Sequence, residues 1–185
     1  ISIFIIIHFT CKLAGIELNS PNGLFCSAII FFNPLLWILS NRYMPDIFGA
    51  AIMVAALYFL ILYKDFNYRL MIGAFLTGIL AGTRLSYLPV LIVPAVLAVY
   101  KSGTRKYLLY SFVIGIIVWL LPLVWVTGWD DLLLAASNQT IGHFTDFGGT
   151  SFTENNWSLR FKNFSSSIWA DGFGGYLVGR HWLTL

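Results

Sequence analysis

Arg84 is the residue of this chain whose type and surroundings most clearly suggest chemistry. It lies near the middle of the apolar stretch 70–100 and is followed closely by the hydroxyl side chains of Ser86 and Tyr87. A guanidinium in apolar surroundings is costly unless a partner receives it, and its fork of N–H donors matches a phosphate. Either Arg84 reaches an interface or backbone carbonyls, or it binds an anionic lipid head group. We predict the second, a lipid-phosphate site at Arg84, Ser86 and Tyr87.

A second group of polar side chains lies in the carboxyl-terminal third of the chain. Asp130 and Asp131 follow a tryptophan, and the glycine-rich run 142–150 contains His143 and Asp146. A histidine and an aspartate three residues apart could transfer protons or bind a sugar, with neighbouring phenylalanine rings for stacking. The alternative is a loop at the membrane surface whose aromatic rings anchor in the head groups. The sequence leaves both interpretations open.

Arg42 and Asp46 are opposite charges within the polar turn 40–46. Pro45 suits the first position of a helix, and Asp46 in the first turn complements the positive end of the helix dipole. We therefore predict a structural role for Asp46, with Arg42 as its partner at the membrane surface.

The composition predicts a membrane protein. Of the 185 residues, 58% are hydrophobic and 10% are charged, with a formal charge of +3, and the mean hydropathy is +0.79. These values exclude an ordinary soluble domain. Nucleic acid is a poor partner, because no basic run alternates with base-stacking aromatic residues. Cys11 and Cys26 are interpreted as small buried apolar side chains.

The stretch 70–100 is too long for a single crossing of the bilayer. One helix over these residues would measure about 46 Å at ~1.5 Å per residue, well beyond the ~30 Å hydrocarbon core. Basic residues flank both ends, Lys64 and Arg69 before it and Lys101 after it. Because short basic loops stay cytoplasmic, both ends are expected on that side. We predict a broken helical hairpin with residues 82–87 at its apex.

The remaining apolar segments complete an all-α, polytopic transmembrane helix bundle. Their limits are marked by proline, glycine and flanking charge. The predicted segments are 1–10 inward, 23–39 outward, 47–63 inward, the hairpin 70–100, and 107–126 outward. The chain is therefore divided into a transmembrane helical region, 1–126, and an extracytoplasmic loop region, 127–185.

Part of the extracytoplasmic segment has the pattern of a helix that lies in the membrane interface. Trp157, Phe161, Phe164 and Ile168 recur at spacings of four, three and four residues, with mostly polar residues between them. Such spacing puts the apolar side chains on one helical face. The same pattern would suit the first turns of a further span.

The order of these parts resembles the membrane-embedded glycosyltransferases of the GT-C superfamily, in particular the protein-mannosyltransferase-like and aminoarabinose-transferase-like branches of family 39 type. The resemblance covers about residues 1–126. It is carried by an outward helix ending in Asn-Pro-Leu-Leu-Trp, the turn Ser40-Asn41-Arg42, Pro45-Asp46 at the start of the return helix, and Gly78-Ile79-Leu80-Ala81-Gly82-Thr83-Arg84 continuing to Pro89 and Pro94.

The resemblance implies a multi-pass integral membrane protein that moves a sugar from a polyprenyl- or dolichyl-phosphate donor to an acceptor on the outer face. The acceptor would be a lipid, a glycan or a protein, and the membrane a bacterial or archaeal plasma membrane, or the endoplasmic reticulum in a eukaryote. Of the family's functional positions only Arg84 is carried over, as the contact to the lipid phosphate.

The catalytic carboxylate of that family is expected to have no counterpart in this chain. In the family an acidic residue of the first external loop acts as the base or positions the acceptor. The chain is expected to begin inside the second span, so the fragment alone is expected to be inactive. No nucleotide or redox cofactor is implied. A divalent metal stays undecided, because the missing loop could add ligands to Asp130, Asp131 or Asp146.

Other functions remain open on the sequence. A transporter or lipid flippase would also place an arginine beside broken helices, but it should show paired discontinuous segments, and one is visible. A polymerase or ligase of surface polysaccharide shares polyprenyl-linked substrates and would use external residues such as His143, Arg160 and Arg180. A non-catalytic scaffold is the last alternative.

Overall fold

The secondary structure in the described part of the chain is helical throughout. The computed structural model describes residues 1–33, 36, 45–61, 67–103, 105–145, 156–166 and 168. Within them lie the helices α1 (Ser2–Leu13), α2 (Pro21–Phe31), α3 (Asp46–Ile61) and α4 (Asn67–Thr83), a 3-10 turn (Leu85–Tyr87), and the helices α5 (Leu88–Lys101), α6 (Arg105–Thr127), α7 (Trp129–Thr145) and α8 (Trp157–Ser166). The prediction of an all-α fold is confirmed for these residues.

The chain divides into two compact units, Ile1–Pro122 and Leu123–Leu185. The first unit contains α1 to α5 and most of α6. The second contains α7 and α8.

Helix α3 lies at the centre of the first unit. One buried apolar cluster joins α3 to the three helices that follow it, through Ile52, Ala56, Leu60, Leu70, Leu80, Leu91, Ala98 and Leu108. A smaller cluster of Ile6, Ile47 and Ala51 joins α3 to α1. Alanine and glycine are frequent in α3, and small side chains let neighbouring helix backbones approach closely.

Contacts at the two ends of α3 show that α3 and α4 run antiparallel. Near the start of α3, Gly49 lies against Arg84 and Tyr87, just beyond the end of α4. Near the end of α3, Leu60 lies against Gly73, in the second turn of α4. The start of α3 and the apex that follows α4 therefore lie at the same end of the unit.

Helices α4 and α5 form the predicted broken hairpin. The chain leaves the helical conformation at Arg84, makes a single 3-10 turn and returns in α5. Ala74 of α4 and Ala98 of α5 line one wall of the same cavity. Because these residues are almost equally distant from the turn, the two helices lie side by side.

Helices α4 and α6 approach so closely at two glycines that their backbones touch. A Cβ atom on Gly78 would overlap the carbonyl oxygen of Phe112, and one on Gly115 would overlap the carbonyl oxygen of Phe75. Glycine pairs of this kind allow van der Waals contact along the backbone itself, which is the main attraction between helices in lipid.

Two side-chain hydrogen bonds connect the same helices. The Ser111 hydroxyl donates to the carbonyl oxygen of Met71 over 2.6 Å, and the Trp119 indole N–H donates to the carbonyl oxygen of Gly78 over 3.0 Å. Both bonds run from α6 to α4, in the same order along the two helices. Helix α6 is therefore parallel to α4 and packed against it.

Among the helices of the described residues, α6 alone has the length and the apolar composition needed to cross a bilayer. It has 23 residues, and only 6% of its most apolar stretch is buried. The other apolar helices of the described residues are 10–17 residues long. A single candidate span leaves the number of crossings a prediction.

Candidate functional site

Arg84 lies at the break between α4 and the 3-10 turn. Its amide donates to the carbonyl oxygen of Leu80 over 2.9 Å, which closes the last turn of α4, and its own carbonyl accepts from the Tyr87 amide over 3.1 Å. Its φ of −155° and ψ of 87° are not helical, so α4 ends here. Pro89 follows in the first turn of α5, where a missing N–H is tolerated.

Asp46 is the ion-pair partner of Arg84. The distance between Arg84 Nη2 and Asp46 Oδ1 is 2.6 Å, and the two side chains are 44% and 7% exposed, respectively. Asp46 also lies in the first turn of α3, where its charge complements the helix dipole. A buried carboxylate needs a counter-charge, and Arg84 supplies it.

Gly49 lets the hairpin apex come close enough for this pair to form. It lies one turn after Asp46, and a Cβ atom on it would be 2.8 Å from the Cβ of Arg84 and 3.3 Å from two ring carbons of Tyr87. A larger residue would push the apex away from α3. The absence of a side chain at Gly49 therefore allows the apex to approach α3 this closely.

The guanidinium of Arg84 at the apex is oriented by Asp46 and has N–H donors that this contact does not use. The guanidinium has five N–H donors, and the contact with Asp46 uses only part of that capacity. Arg84 and Ser86 are both exposed, whereas Tyr87 is half-buried and packs against the apolar core. An anion could therefore reach Arg84 and Ser86 from outside while Asp46 holds the guanidinium from the other side.

The described charges of the first unit lie toward its two ends. Asp46 and Arg84 lie at one end. The other end has basic residues in the terminal turns of α1, α4, α5 and α6, namely Lys12, Arg69, Lys101, Arg105 and Lys106, and one acidic residue, Glu17, shortly after α1. Among the described residues, one end is therefore mainly cationic and the opposite end has an ion pair.

Asp130 and Asp131 belong to the second unit, as exposed residues in the first turn of α7. Negative charge at a helix amino terminus is stabilising, so this location gives both a structural role. Among the described residues, no group of three or more His, Cys, Asp or Glu side chains could hold a metal ion.

The prediction of a glycine-rich loop at 142–150 is wrong for residues 142–145. Residues 142–145, including His143, form the last turn of α7. An isolated glycine costs a helix only about 1 kcal/mol relative to alanine, which the preceding turns of α7 can override. Asp146 lies outside the described residues, so the predicted pair of His143 and Asp146 is not tested.

The pairing of Asp46 with Arg84 was not predicted from the sequence. The predicted partner, Arg42, lies outside the described residues. One signal was available, because two opposite charges in otherwise apolar surroundings are expected to pair. Gly49, three residues after Asp46, was missed as well, since close backbone approach leaves no mark on a single sequence.

Comparison of the chain with protein-family models, with curated proteins and with solved structures gave no match.

Proposed function

We propose that this chain is part of a membrane-embedded glycosyltransferase of GT-C type. It would move a sugar from a polyprenyl- or dolichyl-phosphate carrier to a lipid, glycan or protein acceptor on the outer face of the membrane. The observation that carries the proposal is the half-exposed Arg84, held at a helix break by the buried carboxylate of Asp46. A fixed guanidinium is suited to a phosphate group that must gain charge during the reaction.

The membrane placement is supported by charge and exposure. Basic residues concentrate at one end of the first unit, and such residues favour the cytoplasmic side. The Asp46 and Arg84 end would then face outward. Helix α4, with 17 residues, measures about 25 Å at ~1.5 Å per residue, close to the ~30 Å hydrocarbon thickness. Helix α6 is apolar and almost unburied, as expected of a helix in lipid.

In the transfer step, a hydroxyl oxygen of the acceptor attacks the anomeric carbon of the sugar. The bond from that carbon to the phosphate oxygen breaks, and its electron pair leaves with the polyprenyl phosphate. Arg84 would stabilise this developing charge, and Asp46 would act as a positioning residue that orients the guanidinium. The hydroxyl proton would pass to a general base, a role that the resemblance assigns to an acidic residue of the first external loop in that family.

Binding of polyprenyl phosphate to the full-length protein tests the role of Arg84 without knowledge of the sugar. Arg84→Gln removes a charge-assisted contact worth about 1.5–3 kcal/mol, so binding should weaken roughly ten- to hundred-fold. Arg69→Gln is the matched control, because Arg69 is an exposed cation at the start of α4, whereas Arg84 follows the end of that helix. Fluorescence titration with a labelled short-chain polyprenyl phosphate measures both variants.

A double variant separates binding from folding. Arg84→Gln alone leaves the buried Asp46 charge unpaired, whereas Asp46→Asn combined with Arg84→Gln removes both charges. The double variant should recover thermal stability and still bind polyprenyl phosphate poorly. Unchanged binding in both variants would remove Arg84 from the site and leave the ion pair a purely structural feature.

A further inference from the structure

An apolar cavity lies among α3, α4, α5 and α6, toward the cationic end of the first unit. Its volume is about 440 Å³, within the range of small-ligand sites. Small side chains such as Ala74, Ala95 and Ala98 leave this space open. Thr77 also lines it, but its hydroxyl already donates to the Gly73 carbonyl oxygen over 2.8 Å. The cavity therefore suits a hydrocarbon chain.

Two cations border this cavity. Arg105 and Lys106, in the first turn of α6, contribute to its wall and are exposed. The wall is apolar, so these residues line it with their aliphatic stems and keep their charges outside, as long basic side chains do at membrane surfaces. Among the described residues, neither has a carboxylate partner.

The occupant that fits both features is an anionic phospholipid. An apolar cavity of this size is unfavourable when empty, because its lining lacks dispersion contacts. In a bilayer the apolar group at hand is an acyl chain, which gains little by leaving the surrounding lipid. Selectivity must then come from the head group. Adjacent basic residues on the cytoplasmic side favour anionic lipids of that leaflet.

We propose that the cavity binds one acyl chain of an anionic phospholipid of the inner leaflet, with the lipid phosphate at Arg105 and Lys106. This site lies toward the end of the unit opposite to the Asp46 and Arg84 pair. The proposal of a lipid site rests on the membrane placement proposed above but not on the sugar-transfer chemistry. Either the lipid site or the transferase activity can therefore be disproved while the other stands.

Photo-crosslinking of the full-length protein tests this site. The protein is placed in phosphatidylcholine vesicles that contain a few per cent of phosphatidylglycerol with a diazirine in one acyl chain. Crosslinks should map to residues 95–112. Arg105→Gln with Lys106→Gln should reduce the yield roughly ten-fold, toward that of a phosphatidylcholine probe. Lys12→Gln, which removes a cation that does not line the cavity, should leave it unchanged.

A cavity-filling pair tests the position of the acyl chain. Val99→Phe places a ring at a residue that lines the cavity and should lower the crosslink yield. Val93→Phe, on the same helix at a site 65% exposed and outside the cavity wall, should not. Equal crosslink yields from the phosphatidylglycerol and phosphatidylcholine probes in the native protein would overturn the proposal. A native yield from the variant with both Arg105→Gln and Lys106→Gln would overturn it as well. If Val99→Phe does not fold, the charge variant decides, since Arg105 and Lys106 are exposed.

Discussion

At the scale of single residues, a buried carboxylate and an arginine in apolar surroundings are each costly alone, and here each supplies the counter-charge of the other. The unusual position of Arg84 could be predicted from the sequence, because a charge inside a long apolar stretch stands out. Its partner could not, since Asp46 already had a local explanation at a helix start and Arg42 lay close in sequence. Only the antiparallel direction of α3 and α4 brings Asp46 to Arg84.

Gly49 gives a residue-scale prediction. Gly49→Ala should destabilise the protein by about 1–3 kcal/mol, because the new Cβ would lie 2.8 Å from the Cβ of Arg84. The apparent melting temperature of the full-length protein in detergent measures the loss. The same variant should weaken binding of polyprenyl phosphate, since the apex must move away from Asp46.

Gly103→Ala is the matched control for that substitution. A Cβ atom on Gly103 would meet nothing within 4 Å, so its melting temperature should stay the same or rise slightly. Equal melting temperatures for the two variants would show that the apex can shift without loss, and Gly49 would then not control the ion pair.

At the scale of helices, the sequence predicted the break in the hairpin well and the structure of residues 129–145 less well. The excess length of 70–100 and the basic residues at both of its ends were sufficient to predict the break. In the structure α4 ends at Thr83, within the predicted apex. In the segment after α6, the glycines of 142–150 predicted a loop, but helix α7 continues to Thr145. The predicted helix at Trp157 is present as α8, with Trp157 and Phe161 both exposed.

The glycine contact between α4 and α6 leads to an element-scale prediction. Gly115→Ala should lower the melting temperature by an amount that corresponds to about 1–3 kcal/mol, because the new methyl group would meet the backbone carbonyl of Phe75, which cannot rotate aside. Ile114→Ala, at an adjacent and 53% exposed position of α6, is the control in detergent. A loss no greater than that of the control would mean that the two helices separate easily.

At the scale of the whole molecule, the all-α prediction is confirmed for the described residues, whereas multiple crossing stays a prediction. The physical reason is helix length. Helices α3 and α4 have 16 and 17 residues, slightly short of the ~20 that usually span a bilayer. Hydropathy alone does not distinguish a short span from the core helix of a larger bundle. The directions in which neighbouring helices pack were also beyond the sequence pattern.

Residue accessibility tests the proposed orientation of the first unit. In full-length protein with Cys11 and Cys26 replaced by alanine, Ser86→Cys should react with an impermeant thiol reagent added outside intact cells. Gly103→Cys should react only in inverted vesicles. Both substituted positions are exposed, so a lack of reaction from either side would not be due to burial. Reaction of both from the same side would contradict a hairpin whose apex faces outward.

The ion pair also links two events that would otherwise be independent. Asp46 and Arg84 belong to different segments, so a tilt of the apex away from α3 must separate a cation from an anion where the surroundings screen charge poorly. A phosphate that binds the remaining N–H donors would leave the guanidinium paired with Asp46, so that two anions hold the same cation. Arrival of the phosphate and tightening of the apex against α3 would then be one step, and a neutral ester would leave the apex as it is.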